Sequence, residues 1–116
     1  MAVPILKQGA ILIASIQAAL SDHDLVELRD DLGDRVGRDR SRGVVIDVTA
    51  LDVLDSFATR TIRGIAYQAK LRGAETVVVG IQPDVAFSMV QLGLTLEGVT
   101  TALDLEEGID LLHKLT

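Results

Sequence analysis

Hydrophobic positions along this chain follow two rhythms, and the changes between them mark its elements. Residues 3–6 and 10–16 are short runs rich in Val, Ile and Leu, split by Lys7-Gln8-Gly9. Two such runs around a glycine predict a β-hairpin, with Gly9 in the turn or at a bulge. From Ser21 the rhythm changes. Leu25, Leu28, Leu32 and Val36 recur every three or four positions, the stripe of one helix face. Ser21 is placed to cap that helix, and Asp22 and Asp24 suit the positive end of its dipole. Asp31–Arg35 and Asp34–Arg38, four apart, are expected to pair along the outer face. Arg35, Arg38, Arg40 and Arg42 gather at its negative end. Residues 43–48 are a continuous apolar run broken by one acid, Asp47, which is how a strand buried on both faces reads. After a loop over 49–55, Ile62, Ile65, Ala66 and Ala69 restore helical spacing, and Gly73 ends it as a left-handed cap. Residues 76–79 form another buried strand closed by Gly80. Pro83 suits the first turn of a third helix, with Ala86, Met89 and Val90 inward and Gly93 stopping it. A brief strand over 99–102 precedes a last helix. Asp104 caps that helix, Glu106 and Glu107 sit in its first turn, and Leu105, Ile109 and Leu112 face inward.

The predicted order is β-β-α-β-α-β-α-β-α. Alternating strands and helices imply an α/β fold, a mixed but mostly parallel sheet with right-handed crossovers and an antiparallel N-terminal hairpin. At 116 residues the chain is expected to be a single domain over 1–116. Composition narrows the functional classes. Asp and Glu outnumber Lys and Arg by 17 to 11, a formal charge of −6, which repels phosphate backbones. Aromatics are 3% with no Trp, leaving little for stacking on bases. The absence of Cys excludes disulfides, thiolate metal sites and thiol nucleophiles. The longest apolar run, residues 10–14, is far short of the ~20 residues that a membrane span needs. The start lacks the basic and apolar regions of a signal peptide. A cytoplasmic protein without nucleic-acid or membrane partners is expected.

Most catalytic signatures are missing: no phosphate-cradling glycine loop, no H-E-x-x-H and no G-x-S-x-G. His23 and His113 sit in polar helical contexts and read as surface residues, because a metal needs three or four converging ligands. Asp47, Asp52 and Asp55 lie near the carboxyl end of a central strand, where ligands dock in open α/β sheets. They offer metal or acid–base chemistry, or simply turns and caps. The second reading is favoured, because no nucleophile, base and oxyanion donor assemble around them. Ser56 opens a helix. It is an N-cap, a phosphoacceptor, or both. A phosphate there would be tolerated by the helix dipole and free N–H groups. Next to Asp52 and Asp55 it would make the patch strongly anionic and repel a partner pressed against the helix.

The run Val45-Ile46-Asp47-Val48-Thr49-Ala50-Leu51-Asp52-Val53-Leu54-Asp55-Ser56-Phe57 resembles the signature of STAS domains, the anti-anti-sigma factor family. Pro4-Ile5-Leu6-Lys7, Ser15-Ile16-Gln17, Lys70-Leu71-Arg72-Gly73-Ala74, Gly80-Ile81-Gln82-Pro83, Leu92-Gly93-Leu94 and Thr101-Ala102-Leu103-Asp104-Leu105-Glu106 extend the likeness over almost the whole chain. They are similar to the small stand-alone members found in stressosomes. The resemblance implies a STAS fold, no cofactor and no catalysis. It implies co-assembly with larger RsbR-like STAS paralogues and capture of an RsbT-like switch kinase. It further implies that phosphorylation at Ser56 releases that kinase and that a phosphatase resets the serine. A homodimer within a large multi-subunit complex is implied too. By position, Asp52, Asp55 and Phe57 belong to the partner-binding loop, and Ser88 stands where larger paralogues carry a second acceptor. The chain lacks those paralogues' N-terminal sensory domain, so it is not expected to sense a signal itself. With few aromatics, an interface would rest on aliphatics such as Val3, Ile5 and Leu54. Two other readings stay open. One is a simple anti-sigma factor antagonist that binds an anti-sigma kinase without a large complex. The other is a small nucleotide- or metal-binding enzyme using Asp47, Asp52 and Asp55.

Overall fold

Alternation along the strands sorts the core into two layers. Leu12, Ala14, Val44, Ile46 and Val78 share one buried cluster, while Ile11, Ile13, Val45, Val77 and Val79 share another. Successive side chains of a strand point to opposite faces, so these strands are apolar on both sides and must be covered on both. A computed structural model, describing residues 3–116, shows how. Strands β1 (Ile5–Gln8) and β2 (Ile11–Ser15) form the hairpin, followed by helix α1 (Asp22–Asp39). Then come β3 (Gly43–Asp47), α2 (Ser56–Leu71), β4 (Glu75–Val79), α3 (Pro83–Gln91), β5 (Thr100–Ala102) and α4 (Leu105–Leu115). The five strands lie in sequential order, with β1 antiparallel to β2 and the other pairs parallel. This is the predicted α/β order. Gly9 turns the hairpin at φ +60°.

Helices α1, α2 and α3 bury Leu25, Leu28, Leu32, Val36, Ile62, Ile65, Ala69, Val85 and Met89 in the first cluster. Helix α4 closes the second cluster with Leu112. Each buried Leu or Ile contributes about 1.5–3 kcal/mol relative to exposure. Ser21 caps α1 as expected: its hydroxyl accepts from the Asp24 N–H, and Asp24 bonds back to the Ser21 N–H. Pro83 opens α3, Asp104 caps α4, and Gly73 follows α2 at φ +88°.

Three expectations need correction. Arg38 does pair with Asp34 at 3.0 Å, but Arg35 reaches forward to Asp39 at 3.0 Å rather than back to Asp31. The Arg35 guanidinium holds the Asp39 carboxyl below the usual carboxylate range. On α3 the inward residues are Val85 and Met89, while Ala86 is exposed and Val90 is 78% exposed. Val85 and Met89, one helical turn apart, join the core cluster, and that face leaves Ala86 and Val90 turned outward. Leu54, expected at an interface, is buried at 4%, and its neighbour Val53 is outside at 69%.

Candidate functional site

The carboxyl end of β3 carries the loop that the sequence singled out. Asp47, half-buried, accepts from both the N–H (2.9 Å) and the hydroxyl (2.6 Å) of Thr49. This Asx turn bends the chain off the sheet. The Thr49 carbonyl then accepts from the Gln82 side-chain amide at 2.7 Å, tying the loop to the start of α3. Gly80 makes this approach possible. Its φ is +81°, and a Cβ there would run into the Thr49 side chain. Leu51 and Leu54 anchor the loop in the core, which leaves Asp52 and Val53 outward.

Asp55, not Ser56, caps α2. Its Oδ1 accepts from the Ala58 N–H at 2.8 Å, and its backbone is extended. Its carbonyl also accepts from the Thr59 hydroxyl at 2.8 Å. The expected capping role of Ser56 is therefore corrected. Ser56 is the first helical residue, exposed, with no capping duty to occupy its hydroxyl. Phe57 is half-buried and packs on the core, so it braces the loop more than it contacts solvent. Ser88 is exposed on the outer face of α3.

Ser56 lines a shallow cleft of about 190 Å³ with Thr59, Arg60, Arg63 and Thr95. Arg60 and Arg63 lie four and seven residues after Ser56, on one face of α2. Arg63 donates to the Thr95 hydroxyl at 3.4 Å, which orients it toward the cleft. Sequence reading did not single out these arginines, although the i, i+4, i+7 spacing from Ser56 was there to be seen. The local charges balance, with Asp52 and Asp55 against Arg60 and Arg63. Beside the loop, an apolar cavity of about 90 Å³ opens between Ile16, Leu20, Leu51 and Val53.

Asp47, Asp52 and Asp55 do not converge. Asp47 holds Thr49, Asp55 holds Ala58, and Asp52 points to solvent. Among the described residues no three His, Asp or Glu side chains gather as a metal site. No helix among them is long and apolar enough to cross a membrane. His23 and His113 are exposed on their helices.

The STAS domain family model matches residues 2–108. A serine-to-glutamate variant of RsbS from Moorella thermoacetica is 36% identical with a TM-score of 0.84, over 97% of this chain and 96% of that one. A chain in the molecular architecture of the stressosome, a signal integration and transduction hub, is 37% identical with a TM-score of 0.79, covering 97% of each. The RsbT co-antagonist RsbRA of Bacillus subtilis is 32% identical over 89 residues, which is 77% of this chain and 32% of RsbRA. The present chain thus spans about a third of that relative's length. A five-stranded mixed sheet, a capped D-S loop at its centre and these matches together place the chain in the STAS domain family, among sequences similar to the RsbS and RsbR proteins of stressosomes.

Proposed function

We propose that this chain is a non-catalytic, cytoplasmic stressosome component. It co-assembles with RsbR-like STAS paralogues, holds an RsbT-like switch kinase, and lets it go when Ser56 is phosphorylated. A phosphatase that removes the phosphate resets the state. The observation that carries this reading is the position of Ser56. Its hydroxyl is exposed at the start of α2, relieved of capping by Asp55, in a cleft lined by Arg60 and Arg63.

The mechanism is electrostatic. In the unmodified loop two carboxylates offset two guanidiniums, so a kinase surface can approach at modest desolvation cost. Transfer of the γ-phosphoryl group from ATP to the Ser56 oxygen releases ADP and adds about −1.5 to −2 charge. The first-turn N–H groups of α2 and the guanidinium of Arg60 stabilise that phosphate in place. The helix stays folded while its surface turns anionic. A partner seated on the neutral surface then meets repulsion and unpaired charge. The switch needs no refolding, only a change in what the same backbone presents.

Incubation with the cognate RsbT-like kinase and Mg-ATP, followed by phosphosite mapping, tests this. The expected product carries one phosphate on Ser56, and Ser56→Ala carries none. Modification at Ser88 or elsewhere that persists in Ser56→Ala overturns the assignment.

A further inference from the structure

The opposite end of the sheet holds a second charged site. Arg40 and Arg42 precede β3, and Arg72 precedes β4, so all three lie at the amino ends of parallel strands. Ser56 follows the carboxyl end of β3. At ~3.3 Å per residue, a five-residue strand separates the two sites by roughly 15 Å or more. With Gly37 and Ser41, these arginines line an open cleft of about 400 Å³.

Several observations set this cleft apart from an ordinary solvated face. The arginines of α1 are taken: Arg29 by Asp30, Arg35 by Asp39 and Arg38 by Asp34. Among the described residues, Arg40, Arg42 and Arg72 make no ion pair, in a chain of net charge −6. The Ser41 residue is 4% exposed, and its hydroxyl has no hydrogen-bond partner. Thr76 on β4 shares that condition away from the cleft, and an oxygen buried this fully does not reach a ligand in the open cleft, so it is the arginines that are offered to one. Gly37 seats the third arginine. The Arg72 guanidinium occupies the place that a Cβ at Gly37 would fill, and so it crosses from the end of α2 to the last turn of α1. Arg40 turns in the left-handed region at φ +49°, which ends α1 beside the cleft.

Two helix C-termini face the same end and oppose an anion. Each counts for about half a negative charge, against three full positive charges, so the cleft remains net positive. Three guanidinium forks match the tetrahedral, multiply charged oxygens of phosphate better than a single carboxylate, which one fork satisfies. No aromatic residue lines the cleft, so nothing there is placed to stack on a base. We propose that this cleft is a binding site for a phosphate or diphosphate group, held by Arg40, Arg42 and Arg72.

Calorimetric titration of the purified chain with inorganic pyrophosphate at low salt tests the site. One binding event is expected. Arg40→Gln and Arg72→Gln should each weaken it about ten-fold, the usual loss for a hydrogen bond to a charged group. Arg29→Gln, on α1 outside either cleft and paired with Asp30, should leave it unchanged. Gly37→Ala keeps the charge and favours helix, yet displaces Arg72, so it should weaken binding as well. ADP should bind within about two-fold of pyrophosphate, because only phosphate is read. No binding at millimolar pyrophosphate overturns the proposal. So does a loss with Arg29→Gln equal to that with Arg72→Gln, or no loss with Gly37→Ala, since either shows a diffuse charge effect. Much tighter binding of ADP overturns the identification of phosphate as the recognised group.

Discussion

Asp55 and Ser56 are adjacent, and both residue types cap helices well, so sequence preference alone does not say which one does it. The structure gives the cap to Asp55 and thereby frees the serine hydroxyl. Capping by Asp contributes typically ~1 kcal/mol. Asp55→Ala is therefore expected to lower urea-unfolding stability by about that amount, with Asp55→Ser recovering most of it. Equal stability of Asp55→Ala and the parent chain contradicts the cap. The helix start was legible from the pattern, but its register to within one residue was not. A one-residue shift of the cap leaves Ile62, Ile65, Ala66 and Ala69 on the same inward face. The same ambiguity hid Leu54. In the loop before α2 no period tells Val53 from Leu54, and only the tertiary packing turns one in and the other out. Arg60 and Arg63 were readable by spacing once Ser56 was chosen, yet an arginine on a helix usually means only a solvated face.

At the level of elements, the strands and long helices follow from periodicity, because α1 and β3 bury what their patterns say they bury. The short α3 does not. Nine residues with apolar side chains nearly all round leave its rotation to be fixed by tertiary packing, which takes Val85 and Met89 into the core. What joins the elements at the functional end is the meeting of two strand exits, where Gly80 and Thr49 nearly touch. Gly80→Ala would carry both the left-handed penalty of about 1–2 kcal/mol and a steric conflict with Thr49. Gly93→Ala, at φ +70° with open space around it, would carry the first alone. In chemical denaturation Gly80→Ala should thus lose at least about 1 kcal/mol more than Gly93→Ala. Equal losses would mean that Thr49 moves aside freely and that the loop is not pinned there.

Over the whole molecule, the fold, the family and the balance of charge at the loop are compatible with either a scaffold subunit or a lone antagonist. Size separates them. Mixed with an RsbR-like paralogue, the chain is expected to enter particles far larger than a dimer, measured by light scattering coupled to gel filtration. A monomer or dimer that persists in the mixture would favour the antagonist reading. The sheet itself carries one more consequence. Its strands pair in chain order, so a polypeptide leaving the ribosome finds each new strand's neighbour already made. Two faces do not close together, however. Among the described residues, the side holding Ile13, Val45, Val77 and Val79 is sealed by α4, which follows all five strands. Until residues 105–115 emerge, the nascent chain displays a bare aliphatic surface, and synthesis is an aggregation-prone moment.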